Sequence, residues 1–350
     1  MSAQPLLQSE STKPSLPMVV SIRFLLGLYL VIPACLLLQL VDQYFLEFTI
    51  RDALPSSPGH FLLFQLLFGT PHIIASSLLL MTHPDYLKVF QKRLVLMTVF
   101  IATFFGVGSL FIPYKVLYIM TACWTVYHVL KQQHGIAKAV CHLPAIAFNF
   151  QVAISVVGGC LIYLGVFLNN SLSPEQAEMI LKSSMLMSVA LILCSLWCMR
   201  FISNAQGIWF LWANTLLVVV SYYFLSQQYY FMAILIPRVV HDISAYSFYV
   251  SHDYNRHHSV EDTHSLYSFA KKLRIPIVLV LPVLSFLLTY LLQAYGDDFI
   301  NVIMRTLFAS EIYKAITLGL FGYLALMHYY SEAFIWSAGS PLRNYIYFRK

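Results

Sequence analysis

Charge is scarce in this chain. Asp, Glu, Lys and Arg make up only 10% of its 350 residues, against 59% hydrophobic residues and a mean hydropathy of +0.72. That balance excludes an ordinary soluble domain and predicts an all-α, polytopic transmembrane bundle. The cysteine spacing of a disulfide framework or a zinc ribbon is also missing. Cys35, Cys123, Cys141, Cys160, Cys194 and Cys198 fall mostly within or beside apolar runs and read as reduced, buried thiols. No flavin, nicotinamide, iron–sulfur or DNA-binding motif occurs, and there is no convincing internal repeat. The longest polar stretches, 253–274 and 296–311, are too short to form a core of their own. Any function must therefore sit in the bundle and its rim.

Apolar runs long enough to cross a bilayer predict about ten spans: 18–41, 60–82, 93–113, 115–132, 144–168, 180–200, 205–225, 229–252, 275–295 and 312–336. The distribution of Lys and Arg tests that register. With the N-terminus inside, fourteen basic residues fall in cytoplasmic segments and five outside, the asymmetry expected of a correct topology with both termini cytoplasmic. The net charge of +6 then reports orientation rather than nucleic-acid binding. Residues 1–17 read as a flexible tail, 18–336 as the transmembrane domain and 337–350 as a cytoplasmic C-terminal tail. The location this implies is a multi-pass integral-membrane one, the inner membrane in a bacterium.

Against that background the twelve histidines stand out. An ionisable side chain in the bilayer costs about 2.5–3.5 kcal/mol on insertion scales, so it persists where it faces a bundle interior, a partner or a substrate path. His328 and Glu332 are four residues apart on one helical face, a spacing that suits one shared metal or a hydrogen-bonded pair near an interface lined by Tyr329, Tyr330 and Trp336. His241-Asp242 and His252-Asp253 repeat eleven residues apart; at about 1.5 Å per residue the two histidines are roughly 16 Å apart and cannot share an ion. Arg238, one turn before Asp242, favours a structural ion pair that can also orient a ligand. His252 is carried forward from the crowded stretch that also holds Asp253, Arg256, His257 and His258. His128 ranks above His134, because six residues turn about 240° and put the two on different faces. Lys131 and Gln132, one turn after His128, can hydrogen-bond to it or to an anionic group. His72, after Pro71, fits a satisfied core histidine as well as a ligand. His60, His83, His142 and His264 are assigned no role.

His72, His128, His241, His252, His257, His258 and His328, in a polytopic helical chain, give it a loose resemblance to integral-membrane, histidine-rich non-haem iron enzymes. Two groups are similar in this sense: the fatty-acyl desaturase and hydroxylase class, and the β-carotene dioxygenases of the bacteriorhodopsin-related-protein type. The resemblance is architectural. No HxxxH box occurs, and the nearest segment to HxxHH is HDYNRHH at 252–258, so no activity transfers residue by residue. It implies a metal-dependent oxidoreductase acting on a lipid or other hydrophobic compound at the cytoplasmic side, with an external electron donor or none. Imidazoles with a carboxylate suit a transition metal, iron first. The expected ligands are His72, His128, His241, His252, His328 and Glu332, led by His128, His252, His328 and Glu332. His134, His257 and His258 are weaker metal candidates, and Lys131, Arg238, Asp242, Asp253 and Arg256 are supporting or substrate contacts. Membrane lipid is the expected partner, and nucleic acid is not. Other classes remain open: a proton-coupled transporter built on the intramembrane His, Arg and Asp residues, haem held axially by His72 and His241, or a transferase with a histidine base.

Overall fold

The computed structural model describes residues 16–56, 62–258, 265–337 and 339–349. His60, His264 and the expected tail up to residue 15 lie outside these. In chain order the long elements are α1 (Ile22–Phe45), α2 (Leu62–Met81), α3 (Pro84–Leu110), α4 (Tyr114–Cys141), α5 (Ala145–Phe167), α6 (Pro174–Phe201), α7 (Ala205–Ser226), α8 (Tyr230–His258), the short α9 (Ser265–Lys272), α10 (Ile277–Phe308) and α11 (Phe321–Ile335). Among the described residues, each apolar run predicted to cross the membrane is helical over most of its length. Seven helices, α1, α2, α3, α5, α6, α7 and α10, are long and apolar enough to cross a bilayer. The exceptions, α4, α8 and α11, are the helices that carry His128, His241, His328 and Glu332.

Local chemistry sets several boundaries. Ser173 caps α6 in a reciprocal box with Gln176, followed by Pro174 at the first helical position. Asn204 accepts from the Gly207 amide at 2.6 Å and starts α7. Wide π turns at Gln65–Gly69 and Ala315–Leu320 lead into the segments that hold His72 and α11. Such turns appear often where a helix is re-aimed at a functional site. Pro71 belongs to the first of these distortions, since it has no amide to donate to the preceding turn.

Helix α8 runs through the middle of the bundle and contacts α1, α2, α4, α5, α7 and α10. Its first half joins the largest apolar core, where Ile236 and Val240 meet side chains such as Val126 and Leu130 of α4, Phe210 and Leu217 of α7, and Ile22 and Leu25 of α1. Its second half joins another core through Ala245 and Tyr249, with Ala75 and Leu79 of α2 and Leu281 of α10. His241 and Asp242 fall where one core passes into the other. Residues beyond α11 are structured: a 3-10 helix at Pro341–Tyr345 leads into strand β2 (Tyr347–Arg349), which pairs in parallel with β1 (Val19–Ser21). The two ends of the described chain thus lie side by side. Asn255 of α8 ties them together, donating to the carbonyls of Met18 (2.8 Å) and Tyr345 (2.9 Å).

The α4–α5 contact has no slack at Gly159. A Cβ placed there would lie 2.8 Å from both Leu130 Cδ1 and Val126 Cγ1, residues that flank His128. Gly159→Ala is expected to destabilise the protein by about 1–3 kcal/mol through overpacking. Gly27→Ala, with nothing within 4 Å, should stay within about 0.5 kcal/mol. Unfolding in detergent measures both.

Candidate metal centre

Four imidazoles from four helices converge: His72 on α2, His128 on α4, His241 on α8 and His328 on α11. Their rings form a closed circuit, with centroid separations of 5.5 Å for His72–His241, 4.8 Å for His241–His128, 4.8 Å for His128–His328 and 5.0 Å for His328–His72. All four are buried, as are Glu332 and Asp242. The donor atoms of His72, His241 and His328 lie within 4.8 Å of one another, and so do those of His128, His328 and Glu332. Donors across one ion with bonds near 2.1 Å lie at most about 4.2 Å apart, so a small closing movement brings these atoms onto a metal. His328 belongs to both sets.

Hydrogen bonding at the far side of the rings decides which nitrogen faces inward. His72 Nδ1 lies 2.9 Å from the Phe68 carbonyl. A carbonyl only accepts, so Nδ1 carries the proton and Nε2 keeps its lone pair. Ser76 Oγ donates to the Ile73 carbonyl at 2.9 Å and lies 2.8 Å from His328 Nδ1. With the hydroxyl proton committed, His328 Nδ1 is the donor and its Nε2 is likewise unprotonated. Glu332 is oriented in the same manner. Tyr249 and Trp336 both donate to its Oε1, the indole at 3.0 Å, and Oε2 turns toward His128 Nε2 at 3.4 Å.

The inward-facing atoms have no hydrogen-bond partners: Nε2 of His72, His128 and His328, both nitrogens of His241, and Oε2 of Glu332. Each unsatisfied buried group costs about 1–3 kcal/mol. Lone pairs gathered in two overlapping sets that share His328 fit a cation, and an outer ring nitrogen held by a proton-fixing partner is how metal-binding histidines are usually oriented. Beside it, Asp242 lies 3.6 Å from His72 Nε2 and 3.7 Å from Arg238 Nε. The expected Arg238–Asp242 pair therefore stands next to the cluster, on the side of His72 Nε2.

The expected grouping of His252 with His128 and His328 does not form, because the rise of α8 carries it away from His241. His252 Nε2 instead meets the Tyr86 hydroxyl at 2.9 Å. It lies in a second group, at the α2–α3 turn, with His83 and His257, whose Nε2 atoms are 2.8 Å apart. Asp253 takes the Tyr267 hydroxyl and His257 stacks on the Tyr267 ring. Arg256 pairs with Asp85 at 3.0 and 3.1 Å, and His258 stacks on Tyr254. His134 turns to α5, where its Nε2 meets Ser155 Oγ at 2.9 Å. Lys131 donates to Tyr127 Oη at 2.6 Å and lines a cavity of 620 Å³ that reaches His128, Tyr329 and Glu332.

Comparison with known protein families, curated proteins and solved structures found no match. The reading of the site rests on its own chemistry.

Sequence reasoning missed Ser76, Tyr249 and His83. Ser76 had a signal, since it follows His72 by four residues on the same face of α2. Tyr249 and His83 had none, because their partners come from other helices.

His83 lies between α2 and α3, where burial first and the Arg256 cation second push its pKa down to about 4. Above its ordinary value near 6.5 the ring is neutral in both folded and unfolded chains. As pH falls from there, the unfolded chain takes up the proton first, so stability is lost progressively until pH reaches the folded value. Wild type is expected to lose more thermal stability than His83→Gln between about pH 7 and about pH 4.5, as read from melting in detergent.

Proposed function

We propose that the chain is a multi-pass membrane oxidoreductase with one transition-metal centre, iron before other metals, acting on a hydrophobic compound. The observation that carries the reading is the gathering of unpartnered imidazole nitrogens and one carboxylate oxygen in two buried, overlapping donor sets that share His328. His72, His128, His241, His328 and Glu332 would hold the metal. Each set offers three ligands and leaves coordination positions open, unlike the closed four-ligand set of a structural zinc site, and imidazole with carboxylate suits iron. An iron ion there would supply one-electron and oxygen chemistry that side chains lack.

The protein's own groups account for the rest. The Phe68 carbonyl and Ser76 fix two imidazole tautomers, Tyr249 and Trp336 aim Glu332, and Arg238 with Asp242 keeps charge balanced beside His72. The cavity that reaches His128 and Glu332 would give a substrate access to the cluster. With no recognisable flavin or nicotinamide motif in the sequence, electrons come from an external donor or are not required.

In the membrane, α4, α8 and α11 complete ten crossings. Their windows fall short in apolarity because they carry the site. An even number of crossings agrees with the parallel pairing of β1 and β2, and the basic residues favour the cytoplasmic side for both termini. Haem is a poorer fit, since four rings at these separations leave no room for a macrocycle between His72 and His241.

Metal analysis with a visible spectrum on detergent-purified protein tests the proposal. Near-stoichiometric iron without a Soret band is expected, lost in His328→Ala and retained in His252→Ala. Absence of metal under retaining conditions, or equal loss in both variants, would overturn the ligand assignment. Ser76→Ala should weaken metal retention by about 10–100-fold, the usual effect of removing a group that orients a ligand, as measured by chelator competition.

A further inference from the structure

The cavity beside the metal centre has a composition of its own. Among its lining residues Lys131 and Arg343 are cations, and Glu332 is the one carboxylate. Glu332 sits at the deep end, with one oxygen committed to Tyr249 and Trp336. Both cations are exposed along their residues as a whole. Among the described residues neither has an acidic partner within ion-pair distance. Lys131 is bound to a phenol oxygen, Tyr127 Oη, rather than to a carboxylate. Next to Lys131, the Gln132 side chain lines the same cavity and buries an Oε1 that has no partner. The remaining walls are largely apolar, with Ile136 from α4, Phe248 from α8, and Ile346 and Phe348 from the C-terminal segment. A volume of 620 Å³ is within the range of about 300–1,000 Å³ typical of small-molecule sites.

We propose that this cavity binds an anionic amphiphile, a carboxylate- or phosphate-headed molecule with an apolar chain, whose head is held by Lys131 and Arg343. The inference rests on the preceding reading only for what happens next to the bound molecule. Two unpaired cations at the wall of an otherwise apolar chamber select for a negative head, because charge-assisted hydrogen bonds are roughly twice as strong as neutral ones. Cavity walls of Ile and Phe take the chain. The position of Lys131 also limits which part of the molecule meets the site. It follows His128 by three residues on one face of α4, and its ammonium reaches back to Tyr127, in the turn that holds His128. A head bound there lies within about one helical turn, roughly 5.4 Å of axial distance, of a candidate metal ligand. The part of the substrate nearest His128 and Glu332 is then close to the head, and the far end of the chain is remote from them.

The test is direct binding of tritiated palmitate to the full-length protein in neutral detergent, read by scintillation proximity. Hexadecanol, hexadecyl phosphate and phosphatidic acid serve as competitors, and the metal content of each sample is measured in parallel. Wild type should prefer palmitate or a phosphate-headed competitor over hexadecanol by at least about tenfold, equivalent to about 1.4 kcal/mol. Lys131→Gln with Arg343→Gln should abolish that preference, and Lys131→Arg with Arg343→Lys should keep most of it. Which of palmitate, hexadecyl phosphate and phosphatidic acid binds tightest tells a free acid from a phosphate-headed lipid. Equal affinity of wild type for hexadecanol and every anionic probe overturns the proposal without any variant having to fold. An unchanged preference in the double Gln variant overturns it as well. A charge preference that persists in protein without metal leaves this inference standing and sinks the metal reading alone.

Discussion

An imidazole nitrogen enclosed by protein must either find a partner or destabilise the fold, and around His241 neither ring nitrogen finds one. That constraint orders much of the structure. The four rings meet only if α2, α4, α8 and α11 approach at one depth, and α8 is placed between two apolar cores so that its polar stretch falls at their junction. The distortions follow the same demand: a π turn before His72, with Pro71 just after it, and another π turn before α11 re-aim helices that regular geometry would leave pointing elsewhere. Close packing at Gly159 sets α4 against α5 and so fixes the depth of His128. Each feature is local, and each serves the position of one ring.

The surrounding polar groups are divided by task. Side chains and carbonyls at the outer edge of the cluster, Phe68, Ser76, Tyr249 and Trp336, hold protons in fixed places, and so leave lone pairs directed inward. Arg238 and Asp242 form a charged pair of the kind that a low-dielectric interior tolerates only when both members stay together. The second histidine group is chemically different. Its imidazoles meet one another, a phenol and an arginine-bound turn, so that its contacts are largely satisfied within the protein. Two clusters of the same residue type thus differ in how many of their nitrogens are already used, His252 Nδ1 being without a partner in the second.

Much of this architecture was readable from the sequence, for identifiable reasons. Apolar length alone located the helices, because hydrocarbon requires backbone bonds to be satisfied within each segment. The cost of burying an ionisable group drew attention to His72, His128, His241, His252 and His328 alike, and i,i+4 spacing joined His328 to Glu332 and Arg238 to Asp242. Reading failed where the partner lay on another helix. His252 looked equivalent to His128 because both lie toward a helix end beside charged residues, yet helical rise separates it from His241 by about three turns. His83 was set aside as a turn residue, although His257 meets it across the bundle. One-dimensional patterns report the face and depth of a side chain; which neighbouring helix it meets depends on packing angles that no spacing encodes. The role of 339–349 was hidden for the same reason, since a short polar segment has no periodicity that would announce a strand.

The pairing of β1 with β2 has a consequence for biogenesis. β1 precedes the first long helix and β2 follows the last, so the ladder between them cannot form until all the intervening helices have been made and inserted. Arg343, Ile346 and Phe348, which line the cavity, belong to the segment that this ladder anchors. The chamber is consequently the last part of the molecule to close, and during synthesis the histidine cluster stays accessible from that side.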